Sequence, residues 1–243
     1  MNYVILTLDG FNKLKKYIYF IPARGGSKRI KDKNIKLLDD KPLISYSIEF
    51  ALKVAHKSEI FVSSDSPKIN SIASDYGINI HDRSEEFAKD STSMLDTVID
   101  FIESQKIDKE ANLVILQPTT PFREKSFFLE LKDLFEKNIS SSSALSVVKC
   151  NFFHPSKIGK INNLRYLDLL DIEKQDNVDN EKKEAYYVIS GSFYIISIKD
   201  LLNNLSFIGN NPLALAENAS IHCNINEEVD FEIAKFILKN KAF

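Results

Sequence analysis

The chain has 243 residues, 44% of them hydrophobic, with 32 basic against 34 acidic side chains and a net charge of −2. That length suffices for one large α/β domain whose core needs neither metal nor disulfide to hold it. The near-even charge excludes a general attraction to nucleic acid or to an anionic membrane, so any anion site must come from a local cluster.

Residues 1–16 carry the apolar run Val4-Ile5-Leu6 with no basic stretch before it. They read as an N-terminal extension, not a secretory signal. Tyr17-Ile18-Tyr19-Phe20-Ile21 then reads as a buried strand. Pro42 opens a helix whose apolar positions (Leu43, Ile44, Ile48, Ala51, Leu52, Ala55) recur with helical period. Residues 59–63 form a short strand, Pro67 opens the next helix, and Gly77 ends it before a strand at 78–80. A helix over 93–104 leads to Leu113-Val114-Ile115-Leu116, a continuous apolar run typical of a central parallel strand. Ser140–143 reads as a loop before a strand, and a last helix covers 227–239.

This alternation predicts a three-layer, Rossmann-like α/β fold with a mostly parallel sheet. Residues 17–243 form one domain, with about 150–187 as a smaller antiparallel, dimerisation or acceptor-side arm. Ligands bind such sheets beyond the carboxyl ends of the strands, so the loops after Ile21, Ser63 and Leu116 should converge on one cleft. No apolar run reaches membrane-spanning length. Two cysteines distant in sequence, Cys150 and Cys223, make no disulfide framework and suit a reducing cytoplasm.

The segment most informative about chemistry is 22–34, Pro-Ala-Arg-Gly-Gly-Ser-Lys-Arg-Ile-Lys-Asp-Lys-Asn. Gly25 and Gly26 let the backbone turn tightly and approach a ligand. Around them stand Arg24, Lys28, Arg29, Lys31 and Lys33. A strand that ends in a Gly-rich, cation-rich loop suits polyphosphate: amides and hydroxyls cradle it and cations neutralise it. Neither the Walker A spacing nor Gly-x-Gly-x-x-Gly is present.

The loop resembles the N-terminal signature of the sugar cytidylyltransferases, most closely the acylneuraminate (nonulosonate) branch, whose loop reads Ala-Arg-x-x-Ser-Lys…Lys-Asn. Ala23, Arg24, Ser27, Lys28, Lys33 and Asn34 fall in register with it. Gln117-Pro118-Thr119-Thr120-Pro121-Phe122-Arg123 resembles that family's Gln-Pro-Thr-Ser-Pro-Leu-Arg. Val62-Ser63-Ser64-Asp65 resembles the end of its second strand, and Arg83 with Asp90-Ser91-Thr92-Ser93 its nucleotide-side loop. The resemblance implies a nucleotide-diphospho-sugar-transferase fold and the reaction of CTP with an acidic nine-carbon sugar, giving CMP-sugar and pyrophosphate. It implies Arg24, Lys28 and Lys33 as catalytic cations. Ala23, Gly25, Ser27, Asn34, Arg83, Asp90, Ser91 and Thr92 would bind the nucleotide. Gln117, Thr119, Thr120 and Arg123 would shape the sugar pocket.

Mg²⁺ and a cytoplasmic homodimer are further implications, with no nucleic-acid or membrane partner. Three departures stand out. Met94 replaces an expected Ser, no Arg precedes Ser190-Gly191-Ser192, and Asn224-Ile225-Asn226 replaces the Asp-Ile-Asp that would hold the metal. Asn224 and Asn226 could ligate only through amide oxygens, with Asp230 or Glu228 supplying charge. The missing Arg leaves a sugar carboxylate to Arg165, Arg123, Lys157 or another cation, and points to an acceptor other than ordinary N-acetylneuraminate. Two alternative readings stand beside this one. One is a transferase for another sugar or base, although Pro118-Thr119 after Gln117 argues against the octulosonate Kdo. The other is a non-catalytic nucleotide-binding homologue.

Overall fold

The computed structural model describes residues 16–89, 91–150, 155–170 and 185–240. The first apolar run forms β1 (Tyr17–Pro22), buried along all but its last residue. A short hairpin of β2 (Leu37–Leu38) and β3 (Lys41–Pro42) precedes α1 (Leu43–Val54). Then come β4 (Ile60–Ser64), α2 (Pro67–Asp75) and β5 (Asn79–Asp82). One turn of helix, α3 (Glu85–Ala88), is followed by α4 (Met94–Ser104) and β6 (Asn112–Ile115). Helix α5 (Lys125–Lys137) leads to β7 (Ser143–Lys149). A separate antiparallel hairpin, β8 (Gly159–Ile161) with β9 (Leu167–Leu169), is followed by the long β10 (Tyr187–Ser197). The chain continues through α6 (Ile198–Asn204) and β11 (Leu213–Ala216) to α7 (Glu228–Lys239).

The boundaries follow local chemistry. Pro67 occupies the first turn of α2, where its missing N–H costs nothing. Gly77 closes that helix at φ 67°, a left-handed conformation open to glycine. Ser93 caps α4: its hydroxyl accepts from the Asp96 amide at 3.1 Å, and the Asp96 carboxylate accepts from the Ser93 amide at 3.1 Å.

The seven-stranded sheet runs β11-β7-β10-β6-β1-β4-β5. Strand β1 is parallel to both β4 and β6, β4 to β5, and β11 to β7. Only β10 runs against its neighbours, between β6 and β7. Because strand side chains alternate, β1 feeds both faces. Tyr19 and Ile21 pack with Ile44, Ile48 and Phe128 of α1 and α5; Ile18 and Phe20 pack with Val98 and Phe101 of α4. Each fully buried aromatic such as Phe20 contributes about 1.5–3 kcal/mol of burial free energy. A third cluster joins Ile30, Leu38 and Phe122 to Ile225 and Phe231, tying the first loop to the entrance of α7. Among the described residues no helix is long and apolar enough to cross a membrane. Cys223 is buried, whereas Cys150 is only half-buried, and both are free thiols.

Candidate active site

The parallel strands β1, β4, β5 and β6 end on one rim, and a cleft of about 550 Å³ opens beyond it. From the loop after β1 it is lined by Arg24, Ser27, Lys28, Arg29, Lys33 and Asn34, and from the loop after β6 by Gln117, Pro118 and Thr119. Arg83, Phe87, Lys89, Thr92, Met94 and Thr97 close the far side, and Asn226 enters from the approach to α7. Among the described residues this lining carries six cations, Arg24, Lys28, Arg29, Lys33, Arg83 and Lys89, and no carboxylate. Like charges gathered on one wall raise each other's energy, and a bound polyanion lowers it.

Buried contacts fix the first loop. The Ala23 amide donates to the Ser63 carbonyl at 2.9 Å and the Gly25 amide to Asp65 Oδ1 at 2.8 Å. A Cβ on Gly25 would lie 2.9 Å from Ser66 Cβ, so no larger residue fits there without movement. Asn34 Nδ2 donates to the Arg24 carbonyl at 2.9 Å, and Lys33 Nζ to the Ile225 carbonyl at 3.0 Å. Burial lowers the Lys33 pKa; Arg29 and Arg24 push the same way and Asp230 opposes them. The loop after β4 therefore underlies the cleft, while the loops after β1 and β6 line it. Ala23 and Gly25 shape the loop without facing the cavity.

On the nucleotide side Arg83 is buried. Its Nε donates to Ser63 Oγ at 3.2 Å and its Nη2 to the Ser63 carbonyl at 3.1 Å. Burial lowers its pKa, countered by Asp65. Thr92 donates to the Glu86 carbonyl at 2.9 Å and reaches the lining; Ser91 is exposed and does not. Asp90 lies outside the described residues. Met94, the departure from the expected Ser, sits with its sulfur 3.8 Å from Gln117 Nε2, so it packs on the amide expected to meet the sugar.

The loop after β6 divides. Gln117 and Thr119 face the cleft, but Thr120 and Arg123 turn inward. Arg123 Nε donates to the Ser192 carbonyl at 2.9 Å, Nη1 to Ser47 Oγ at 3.0 Å, and Nη2 to the Gln117 carbonyl at 2.7 Å and Thr120 Oγ1 at 3.0 Å. The residue keeps some accessible surface, yet its guanidinium is enclosed. That enclosure pushes its pKa down to about 9, against the pull of Glu217, and leaves it charged at neutral pH. Thr120 Oγ1 donates to the Gly191 carbonyl at 3.2 Å. Both side chains thus lock the loop to β10 and α1. Gly191, at φ 84°, holds its backbone so close that a Cβ would lie 3.2 Å from Gln117 Oε1.

For Glu217, burial works to raise the pKa, and hydrogen bonds from His222, Ser190 and Ser192 overcome it, leaving a low value. Of the cations offered for a sugar carboxylate, Arg165 sits exposed in the turn of the β8–β9 hairpin and Lys157 is exposed outside the lining.

The residues expected to ligate metal differ in where they face. Asn226 lines the cleft, but Asn224 is exposed and does not. Asp230 Oδ2 is engaged by the Asn226 and Glu227 amides at 2.7 and 2.8 Å, the N-terminal box of α7. Among the described residues no three His, Cys, Asp or Glu side chains cluster to hold an ion. Pro22, Arg29, Phe87, Lys89, Pro118 and Thr97 complete the lining without having been singled out as site residues; Arg29 was visible in the cation cluster.

A cation-lined cleft at the carboxyl edge of a mostly parallel three-layer sheet defines a nucleotide-binding α/β protein. Residues 18–206 match the family model described as Cytidylyltransferase. The chain is 31% identical over 227 residues to an N-acylneuraminate cytidylyltransferase of Escherichia coli O18:K1:H7, covering 93% of this chain and 53% of that one. It is 33% identical over 218 residues to a CMP-N,N'-diacetyllegionaminic acid synthase of Legionella pneumophila, covering 87% of this chain and 89% of that relative. A solved CMP-2-keto-3-deoxy-manno-octonic acid synthetase in complex with CTP shares the fold, with a TM-score of 0.67 at 18% identity over 93% of this chain and 100% of that one. The chain spans about half the length of the E. coli relative and most of the Legionella one. It belongs to the cytidylyltransferase family, in the nonulosonate branch.

Proposed function

We propose that this chain transfers CMP from CTP to a sialic-acid-like nine-carbon keto sugar, releasing pyrophosphate. The observation that carries this reading is the cleft lined by six cations and, among the described residues, no carboxylate, in a chain of this family. The anomeric hydroxyl oxygen attacks the α-phosphorus in line, the bond to the bridging oxygen breaks, and pyrophosphate leaves with that electron pair. The hydroxyl proton passes to solvent. Arg24 and Lys28 neutralise the β- and γ-phosphates as charge builds on the leaving group; Lys33, Asn34 and Ser27 hold the α-phosphate end. Arg83 and Thr92 take the nucleoside side, and Gln117 and Thr119 the acceptor. Catalysis is then positioning and charge neutralisation. Arg123 and Thr120 act indirectly, by holding the Gln117 loop. The residues present do not fit a Mg²⁺ held by the protein, so no step is assigned to one.

The legionaminate relative and the absence of an Arg before Ser190 favour a diamino nonulosonate over N-acetylneuraminate. A homodimer is part of the proposal, because the β8–β9 hairpin exposes Ile161, Leu164, Tyr166 and Leu167 and the start of β10 exposes Tyr187 and Val188. Free thiols and the acidic sugar-nucleotide chemistry fit the cytoplasm.

Pyrophosphate release with CTP and a panel of nonulosonic acids tests the reaction. Arg24→Ala should lower turnover about 10²-fold, roughly 3 kcal/mol, with the fold unchanged. Turnover within twofold of the unaltered chain, or CTP binding with no release for any acceptor, would overturn the assignment.

A further inference from the structure

Behind the cleft lies a row of polar side chains that the reaction itself does not use. His81 on β5 sits opposite Ser63 on β4 in the sheet register. Its Nδ1 is 2.9 Å from Ser63 Oγ, and its Nε2 is 3.1 Å from Asp100 Oδ2 on α4. The ring also meets Phe101 edge-on, with centroids 5.5 Å apart. Ser63 Oγ in turn accepts from Arg83 Nε at 3.2 Å, and the Ser63 carbonyl accepts from both Arg83 Nη2 and the Ala23 amide. An Asp–His–Ser row at these distances has the geometry of an activated nucleophile. Ser63 has no accessible surface, however, so its oxygen cannot reach a substrate. The row must act on something inside the protein.

Donor and acceptor bookkeeping identifies what that is. The Asp100 carboxylate only accepts, so His81 must carry its proton on Nε2. Nδ1 is then an acceptor, and it takes the Ser63 hydroxyl proton. With its proton committed, Ser63 Oγ turns lone pairs toward Arg83 Nε–H. Every bond in the row thus points one way, from Arg83 to Ser63 to His81, with His81 anchored on Asp100. The charged groups facing His81 are Asp100 from α4, Asp82 at the end of β5 and Arg83 just after it; burial and Arg83 lower its pKa while Asp100 and Asp82 oppose them.

We propose that His81 is a positioning residue for nucleotide binding: held by Asp100 in one tautomer, it orients the Ser63 hydroxyl and so fixes the Arg83 guanidinium against the cleft. Ser63 links the same row to the root of the phosphate loop through the Ala23 amide, so the two ends of the nucleotide site share one support. The inference rests on Arg83 facing CTP, as the proposed function has it.

The test is a double-mutant cycle on CTP affinity, read by titration calorimetry, with kcat measured alongside. His81→Phe keeps the ring against Phe101 and removes both nitrogens. His81→Gln keeps an acceptor for Ser63 and a donor for Asp100. Arg83→Ala should weaken CTP about tenfold or more, and His81→Phe about fivefold, with kcat at saturating CTP within about twofold. The double variant should bind no more weakly than Arg83→Ala alone, and His81→Gln should recover most of the loss. Should His81→Phe fail to fold, Ser63→Ala takes its place in the cycle with the same non-additivity expected. Unchanged CTP affinity in His81→Phe, or losses that add in full to those of Arg83→Ala, would overturn the inference while leaving the proposed function standing. A chain that does not bind CTP at all would remove both.

Discussion

Arg123 offers the sharpest separation between a residue that touches the acceptor and one that supports the loop that does. Its guanidinium donates to the Ser192 and Gln117 carbonyls and to Ser47 and Thr120, and it lies 5.6 Å from the Phe193 ring centroid. Arg123→Ala removes all of these at once. The Gln117 carbonyl keeps the Thr120 amide as a donor at 3.2 Å. The Ser192 carbonyl loses a charged donor, and an orphaned buried acceptor costs about 1–3 kcal/mol. The void beside Phe50 and Phe193 adds about 1–2 kcal/mol, and release of an enclosed charge gives part of that back. The net expectation is a loss of about 3 kcal/mol, which for a chain of this size lowers the melting midpoint by about 6–12 °C. Arg123→Lys should recover less than half, because one ammonium cannot span Ser192, Ser47 and Gln117 together. CTP affinity should stay within about threefold while the acceptor KM rises, since the Gln117 loop loosens and the phosphate side does not. A variant that melts within about 2 °C of the parent and changes only acceptor KM would show that Arg123 meets the sugar directly, and the reasoning would be wrong.

Gly191→Ala places a side chain at φ 84° against Gln117 Oε1; it should cost about 1–2 kcal/mol in denaturant melts and raise acceptor KM more than CTP KM. His81 has a folded-state pKa below its ordinary value, so the unfolded chain takes up a proton the folded chain resists. The corresponding stability is complete above about pH 6.5 and is lost as pH falls below that; the difference between parent and His81→Phe melts should shrink across this window and level off beneath the folded pKa. Asn226→Asp puts a carboxylate into a lining that has none among the described residues; titration calorimetry without added metal should show CTP binding weakened severalfold, and unchanged affinity would mean residue 226 stands apart from the bound triphosphate.

The fold was legible wherever local chemistry decides it. Pro67, Gly77 and Ser93 mark helix ends by their own backbone or side-chain properties, and the run from Leu113 to Leu116 marks a central strand because only a strand buried on both faces is apolar at every position. The long β10 was not legible, since periodicity reports a strand but not its partners. Its antiparallel insertion between β6 and β7 depends on pairing far along the chain. The site divides the same way. The cations of the first loop are local and were readable, whereas the inward turn of Arg123 depends on Ser192 and Ser47, distant in sequence and invisible to a motif. Phe87 and Pro118 line the cleft through shape, which composition does not encode.

The charge pattern around α7 bears on the proposed reaction, because the expected acidic pair is absent. A carboxylate at 226 would stand beside Lys33, whose Nζ is already fixed to the Ile225 carbonyl. It would neutralise a cation the triphosphate needs. With asparagine there, Asp230 is engaged at the start of α7 by the Asn226 and Glu227 amides. That leaves Lys33 pressed by burial and by Arg29 and Arg24 toward its neutral form. In the proposed reaction a polyphosphate entering the cleft would supply negative charge and push the Lys33 pKa back up, against burial and its two arginine neighbours. The same Lys33–Ile225 contact couples the phosphate loop to the start of α7, so that the segment which would have carried the metal instead positions a cation.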